Sequence, residues 1–393
     1  MATDLQATLE ELTAYPTTEY PFLSVYLDLT PDGNGRRPSL QQLEQEFELI
    51  AERVKQRDKD QEIKGLDSFE ADRKRIMDYI NTEAPVEARG LALFACQAEG
   101  VWQVHPLQVA VPSHIVEDRY PHVFNLARII DDYETYAVVL ADSQESRIFV
   151  ITLNDAEKVA ETESDEEIKR FQAGGWGQML FQRRTENIIK AHTKDIADKL
   201  GRMMRRYNVQ HVIIAGNDSI KGSVRDSLPK QIQEKLVDFI SLDMSANMQT
   251  IMEAIEPMMR QVELDQEADD VDTLEAQVNT KGGLGVIGVA NTALALSKGQ
   301  VRLLIMQQDF QALGSRNAQS GFLYAGMQSQ DPYDGSELET VDLHEAFVAK
   351  AAQQSATIQI VEANEYLAQH EGVGALLWFR DDAPLIKEVE REA

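Results

Sequence analysis

The chain has little cysteine and no pattern of metal ligands. Its 393 residues include one cysteine, Cys96, and seven histidines. An intrachain disulfide is therefore excluded, and Cys96 ends the apolar run Leu91-Ala92-Leu93-Phe94-Ala95, which is typical of a buried strand. The histidines show no paired ligand spacing and lack thiol partners, so we expect no bound metal and no cofactor.

Long apolar segments are also missing. The sequence contains no run of about 18 apolar residues, the length that a membrane-spanning helix requires. The first residues, Met1-Ala2-Thr3-Asp4-Leu5-Gln6, lack the basic-then-apolar order of a signal peptide. We therefore expect a cytoplasmic protein that does not contact a membrane.

Positive charge is scarce and unevenly distributed. The chain has 66 Asp and Glu residues against 38 Lys and Arg residues, a net charge of -28, which disfavours general affinity for nucleic acid because phosphate is repelled. From Lys169 to Arg206, however, there are ten Lys and Arg residues against three acidic ones, a net charge of +7. A local field opposite in sign to the whole molecule is a candidate contact for a polyanion.

A glycine-rich segment precedes most of this basic stretch. Its sequence is Gly174-Gly175-Trp176-Gly177-Gln178, and three glycines in four residues allow backbone conformations and close approaches that side chains would prevent. Apolar residues at three- and four-residue spacing then predict a long amphipathic helix. The candidate RNA-binding residues on its polar side are Arg183, Arg184, Lys190, Lys194, Arg202 and Arg205. The alternative is a loop that only caps a solvated helix.

Strand and helix signals alternate along the chain and indicate an α/β protein. We expect three α/β domains, at residues 1–133, 134–275 and 276–393. The expected strands are 22–29, 90–95, 100–104, 108–111, 136–142, 146–153, 211–215, 301–307, 357–361 and 374–379. The expected helices include 4–12, one ending near 57, 69–80, one starting at 228, 286–298 and 340–354.

One motif resembles a dinucleotide-binding fingerprint. Gly283-Leu284-Gly285-Val286-Ile287-Gly288 fits the G-x-G-x-x-G pattern, but no convincing strand precedes it. We interpret these glycines as a flexible entry and a site of close helix packing.

The central residues resemble a known family. Gly174-Gly175, then Phe181-Gln182-Arg183-Arg184, a basic helix and the strand Val212-Ile213-Ile214-Ala215 are similar to the central domain of the archaeal and eukaryotic class-1 peptide release factors and Pelota. Gly288 to Gly299 and Gly372 to Arg380 resemble that family's C-terminal domain. The resemblance implies a central domain with a mixed sheet and a long basic helix, and a C-terminal α-β-α sandwich of release-factor type.

The sequence departs from the family's motifs at two places. The release factors have Gly-Gly-Gln, whereas here Trp176 holds the glutamine position and Gln178 lies two residues further on. Their codon-reading motifs, Asn-Ile-Lys-Ser and Tyr-x-Cys-x-x-x-Phe, are absent from residues 1–133. Both departures favour a non-catalytic factor that occupies the ribosomal A site, as in ribosome hibernation.

Two alternatives stay open. One is a rescue factor that hydrolyses peptidyl-tRNA through Gln178, and the other is an RNA-binding adaptor that acts away from the ribosome. For the ribosome-binding hypotheses, the resemblance implies that Gly174 to Gln178 reach the peptidyl-transferase centre.

The partners implied by the resemblance are ribosomal RNA of both subunits, the P-site tRNA and a translational GTPase, with elongation factor Tu as the natural choice. Off the ribosome we expect a monomer. Contacts of the first domain with small-subunit RNA could come from its own basic residues, although these also fit a solvated helix surface. They are Arg36, Arg37, Arg53, Lys55, Arg57 and Lys59.

Overall fold

The described residues form two compact units. The computed structural model describes residues 5–31, 40–61, 65–86, 88–107, 109–132, 134–142, 145–152, 155–163 and 176–381. The first unit combines Met1–Asp132 with Asp265–Ala393, and the second unit is Tyr133–Leu264. The division into three consecutive domains stays a prediction.

The N-terminal part of the first unit contains an antiparallel sheet covered by helices. Its elements are α1 (Leu5–Thr13), β1 (Phe22–Asp28), α2 (Gln41–Gln61), α3 (Gly65–Thr82), β2 (Gly90–Cys96), β3 (Val101–Leu107), β4 (His114–Asp118) and α4 (Phe124–Asp132). The strand order is β3-β2-β1-β4. α2 and α3 bury Phe47, Phe69 and Ile76 in a core with β1 and β2.

The prediction of a strand at residues 108–111 is wrong, because the strand in this region is β4 at His114–Asp118. Val111 is buried although it lies in a connecting segment. Burial of a loop residue therefore produced an apolar signal without strand pairing.

The second unit contains the predicted mixed sheet and long helix. Its elements are β5 (Tyr136–Ala141), β6 (Glu145–Thr152), β7 (Asp155–Glu163), α5 (Trp176–Tyr207), β8 (His211–Gly216), α6 (Asp218–Ser227), α7 (Lys230–Gln233), β9 (Leu236–Ile240) and the first part of α8 (Met248–Asn279). The order is β7-β6-β5-β8-β9, in which β5, β8 and β9 are parallel. Ile196 and Leu200 of α5 belong to one core and Ile251 of α8 to another.

The two edge strands of this sheet were not predicted from the sequence. β7 and β9 are the two edges, and β7 has the charged sequence Asp-Ala-Glu-Lys-Val-Ala-Glu-Thr-Glu. Edge strands often carry charges that prevent pairing with other chains, and such strands lack a continuous apolar run. The helix expected from residue 228 is the four-residue α7, and α6 precedes it.

The C-terminal part of the first unit has a four-stranded sheet between helices. Its elements are β10 (Gly285–Ile287), α9 (Val289–Ser297), β11 (Val301–Gln307), β12 (Leu313–Asn317), β13 (Leu323–Ala325), β14 (Leu338–Asp342), α10 (Leu343–Gln353), β15 (Thr357–Val361), α11 (Glu365–Gln369) and β16 (Val373–Leu377). The order is β10-β16-β11-β15. Leu303 and Ile305 of β11 pack with α8 and α11, and side-chain alternation directs Leu304 and Met306 to the other face.

Two expected helix boundaries change because a short strand precedes each helix, namely β14 of a second sheet, β13-β12-β14, and β10 of the four-stranded sheet. The helix expected at 340–354 begins at Leu343, because Asp342 ends β14 and its side chain accepts a hydrogen bond from the His344 N–H. The helix expected at 286–298 begins at Val289, because Val286 and Ile287 pair with β16.

The two parts of the first unit pack against each other. Helices α1 and α4 contact α10, and α4 contacts β15. The Asp131 carboxylate at the end of α4 accepts a hydrogen bond of 2.7 Å from the Ile360 N–H.

Candidate functional site

The basic stretch forms one continuous helix that begins within the glycine-rich segment. α5 starts at Trp176 and runs for 32 residues. Trp176, Gly177 and Gln178 therefore lie in its first turn, and the predicted loop is shorter than expected. Gly174 and Gly175 lie outside the described residues, whereas Arg183 and Arg184 lie further along α5.

The second half of α5 separates a buried face from a basic face. Thr193, Ile196 and Leu200 are fully buried. Lys190, Lys194, Arg202 and Arg205 are exposed. At about 100° per residue, Lys190, Lys194 and Arg205 lie within about 60° around the helix axis, and Arg202 lies about 60° beyond them. The structure therefore brings these four predicted residues to one exposed surface, which we call the α5 basic face.

Local contacts hold α5 against the second unit. The Thr193 hydroxyl lies 3.1 Å from the Lys190 carbonyl oxygen and 2.9 Å from the Ser227 hydroxyl of α6. Because Thr193 and Ile196 are buried, rotation of the helix about its axis would expose apolar surface. Packing therefore fixes the direction in which the basic face points.

The charges of the α5 basic face are not neutralised by the side chains that the structure describes. Lys199 forms an ion pair with Asp195 at 3.2 Å. Among the side chains that the structure describes, no carboxylate lies within 4.0 Å of Lys190, Lys194, Arg202 or Arg205. α5 carries eight basic and three acidic residues, a net charge of +5, and Arg205 and Arg206 lie in its last turn, where the helix dipole favours cations. These cations are available to an external anion.

The basic residues of the first domain that we expected to contact small-subunit RNA differ from the α5 basic face in their surroundings. Arg57 of α2 forms an ion pair at 2.7 Å with Glu117, whose side chain is 6% exposed. Lys55 lies 3.6 Å from Glu52 on the same helix. Arg36 and Arg37 lie outside the described residues. Two of the six expected contacts are thus engaged with carboxylates of the same chain.

A buried charged cluster in the first unit was not anticipated from the sequence. His122 contacts two carboxylates, with Nε2 at 2.9 Å from Asp118 Oδ2 and Nδ1 at 3.2 Å from Glu345 Oε1. The second oxygen of Glu345 accepts hydrogen bonds from the Val123 N–H at 2.8 Å and the Phe124 N–H at 3.0 Å. Glu345 therefore caps the N-terminus of α4 although it belongs to α10.

The ionisation of His122 follows from these neighbours. Burial alone would lower the pKa of His122, but hydrogen bonds and charge interactions with Asp118 and Glu345 raise it to about 10. The imidazole is therefore a cation that joins two carboxylates. Glu345 and Val123 are 222 residues apart in sequence, so no local pattern could have indicated this contact. We interpret the cluster as a structural clamp.

The Gly283 to Gly288 motif is explained by close packing. A Cβ atom on Gly283 would lie 2.0 Å from the Gln277 carbonyl oxygen, and one on Gly285 would lie 2.9 Å from the Val278 backbone nitrogen. Gly288 has φ of +84°, a conformation that disfavours side chains, and is the N-cap of α9. The strand β10 lies within the motif, α9 follows it, and the helix α8 rather than a strand precedes it.

The described residues contain neither a metal-binding cluster nor a membrane-spanning helix. No group of three or more His, Cys, Asp or Glu side chains within the described ranges could hold a metal ion. None of the helices assigned there combines the length and hydropathy needed to cross a membrane.

Sequence comparisons connect the central region to the family that the residues resemble. Residues 121–260 match the family described as bacterial archaeo-eukaryotic release factor family 10. This range includes the whole of α5. Two Mycobacterium tuberculosis proteins, Rv2629 and MT2704, are each 24% identical to the chain over 383 residues, which cover 94% of this chain and 96% of theirs.

Solved structures that align with the chain superpose on it only weakly, with TM-scores of 0.27 to 0.40. An archaeal translation termination factor is 15% identical, with coverage of 96% of this chain and 97% of its own and a TM-score of 0.27. Archaeoglobus fulgidus Pelota is 13% identical, with coverage of 75% and 80% and a TM-score of 0.34. Saccharomyces cerevisiae Dom34, described as a translation termination-like factor, is 10% identical, with coverage of 74% and 86% and a TM-score of 0.40.

Proposed function

We propose that the chain binds the ribosomal A site and inhibits translation without releasing peptide, because its residues 121–260 match the family described as bacterial archaeo-eukaryotic release factor family 10. Ribosome hibernation is the form of inhibition that fits best. The α5 basic face is the observation that carries this proposal. It presents cations that no described carboxylate pairs with, on a protein whose net charge is -28, so we expect attraction to RNA to be concentrated on this surface.

The residues at the start of α5 support a non-catalytic role. Peptide release requires groups that orient water and stabilise the oxyanion that forms on the ester carbonyl. At the glutamine position of the family, Trp176 offers one N–H donor and no acceptor, so it cannot replace a carboxamide. An indole is instead well suited to stacking on an unpaired base, such as those of a tRNA 3′ end or a ribosomal RNA loop.

The proposed partners follow from an A-site location. The first domain would face the decoding centre, and Gly174 to Gln178 would extend toward the peptidyl-transferase centre and the P-site tRNA. The C-terminal region would contact the large subunit or an accompanying translational GTPase, for which elongation factor Tu is our proposal by analogy.

Cosedimentation with 70S ribosomes at several salt concentrations tests the proposal. We expect binding that weakens steeply as salt rises, and loss of binding when Lys190, Lys194, Arg202 and Arg205 are all replaced by Glu. The matched control replaces the exposed residues Lys74, Arg225, Lys230 and Lys281 by Glu, which changes the net charge equally but leaves the α5 basic face and the expected RNA contacts of the first domain intact. Equal loss in both variants would show that net charge alone controls binding.

A peptide-release assay separates the proposal from the rescue alternative. Peptidyl-tRNA on ribosomes with an empty A site should remain intact when the protein is added, while translation in an extract is inhibited. Robust release that disappears in Gln178→Ala but survives in Trp176→Ala would establish the hydrolytic rescue factor. Failure to sediment with either vacant or translating ribosomes would favour the adaptor that acts away from the ribosome.

A further inference from the structure

A cavity in the first unit collects cationic and hydroxyl groups from distant parts of the chain. Its volume is about 400 Å³, and its lining includes Tyr15, Thr17, Tyr120, Arg316, Lys350 and Gln353 together with the Glu339 carboxylate. These residues come from the segment after α1, the segment before α4, the strands β12 and β14 and the helix α10. We call this space the α10 pocket. None of its lining residues belongs to α5.

Arg316 is held in place on one wall of the α10 pocket. Its Nη2 atom donates hydrogen bonds to the Thr17 hydroxyl at 2.7 Å and to Glu339 Oε2 at 3.0 Å. Its guanidinium carbon lies 5.8 Å from the centre of the Tyr120 ring. A guanidinium has five N–H donors, so these contacts leave donors for a further ligand.

Lys350 contributes a second cation without a matching anion. Its ammonium group is half-buried, and among the described side chains no carboxylate lies within 4.0 Å of it. Gly321 leaves room for the ammonium, because a Cβ atom there would lie 3.1 Å from Lys350 Nζ. Burial, and then the nearby positive charge of Arg316, lower the pKa of Lys350.

Two neighbouring cations in a partly enclosed space are costly unless an anion neutralises them. Glu339 engages Arg316, but no described carboxylate reaches Lys350. A tetrahedral phosphate can accept hydrogen bonds from an ammonium, a guanidinium and hydroxyl groups at once, and its charge matches two cations. The volume is within the range of pockets that hold small organic ligands.

We propose that the α10 pocket binds the phosphate group of a small phosphate monoester, with Lys350 and Arg316 as its cationic contacts. This site shares no residue with the α5 basic face, and it does not depend on the proposed function. Its ligand is a free small molecule, so binding occurs without the ribosome.

Calorimetric titration of the full chain with inorganic phosphate and with AMP tests this site. We expect both to bind, and Lys350→Gln to weaken both by about tenfold to a hundredfold, as for the loss of a charge-assisted hydrogen bond. Lys281→Gln, which removes an exposed lysine elsewhere in the first unit, should bind both normally. Ala349→Leu keeps both cations but adds volume to the pocket wall, and should weaken AMP.

A second measurement reports on Lys350 itself. In the chain with isotopically labelled, dimethylated lysines, saturating phosphate should raise the pKa of Lys350, because the anion stabilises the ammonium form. Thermal melting of each variant without ligand establishes that it is folded.

Several results would overturn the proposal. Absence of phosphate and AMP binding to the folded chain is one, and equal binding of AMP and adenosine is another, because the phosphate would then contribute nothing. Unchanged affinity in Lys350→Gln would remove the site from this pocket. Binding of a single-stranded RNA without terminal phosphates, in place of AMP, would show that the pocket serves a nucleic-acid backbone instead.

Discussion

The cations of the α5 basic face lack described carboxylate partners, whereas Arg57 and His122 of the first unit are paired with carboxylates. On α5, Lys190, Lys194, Arg202 and Arg205 are exposed and have no described carboxylate within 4.0 Å. In the first unit, Arg57 is paired with Glu117, and His122 lies between Asp118 and Glu345. Paired buried charges hold a fold together only as complete sets, whereas unpaired exposed charges cost the fold little and remain available to a partner.

The largest expected effect comes from breaking the clamp. Glu345→Ala removes the acceptor of two backbone N–H groups and one of the two anions beside His122. We expect the free energy of unfolding of the first unit to fall by about 3–5 kcal/mol, as when one partner of a buried ion pair is removed. Urea denaturation measures it, with Glu337→Ala at an exposed position as the control. A loss below about 1 kcal/mol would contradict the clamp.

The pH dependence of stability tests whether the charged form of His122 stabilises the clamp. The pKa of His122 is raised in the folded state to about 10 from its ordinary value of 6.5. The charged imidazole therefore contributes its full stabilisation below about pH 6.5, and this contribution is lost as the pH rises from there through about 10. Urea denaturation at pH 6 and pH 9, roughly the two ends of this window, should show a decline that His122→Asn reduces. Equal declines in both proteins would assign the dependence to another group.

A smaller loss is expected at the pair between Arg57 and Glu117. Arg57→Ala leaves the Glu117 carboxylate, whose side chain is 6% exposed, without its cation, and should cost about 2–3 kcal/mol of unfolding free energy. Lys55→Ala is the matched control on the same helix, because its pair with Glu52 is exposed and should be worth less than about 1 kcal/mol. Similar losses in both variants would mean that burial of Glu117 is not the cause.

Trp176→Ala tests the proposed contact of α5 with RNA. If Trp176 stacks on a base, ribosome binding should lose about 1–3 kcal/mol, roughly tenfold to a hundredfold in affinity, with little change in melting temperature. Trp378→Ala is the control, because Trp378 is 62% exposed in the first unit. A melting temperature that falls by many degrees in Trp176→Ala would identify Trp176 as a core residue.

The smallest effect on stability is expected for Lys190→Gln combined with Lys194→Gln. Both side chains are exposed, so the free energy of unfolding should change by less than about 0.5 kcal/mol. If both contact RNA phosphates, the slope of log affinity for ribosomes against log salt should decrease by about 1 for each lysine. An unchanged slope would exclude these two lysines from the interface.

Local sequence patterns predicted a helix or strand correctly where the pattern lies within the residues of that element. The apolar stripe of α5 predicted a helix and its buried side, and Ile196 and Leu200 are buried as expected. Continuous apolar runs similarly predicted β2, β5 and β8. The polar edge strand β7 was not predicted, because pairing with β6 stabilises it in place of a run of buried apolar side chains. The other edge strand, β9, was missed although its sequence Leu-Val-Asp-Phe-Ile is mostly apolar.

Residue order alone was enough to predict the α/β class, the long basic helix, the local excess of positive charge and the resemblance that the family match over residues 121–260 confirms. These features depend on residue types and their spacing within short segments of the chain. Which charges are neutralised depends instead on the folded arrangement of distant segments. Arg57 meets Glu117, and Glu345 reaches Val123 across 222 residues, because folding brings together groups whose separation along the chain carries no information about their distance in space.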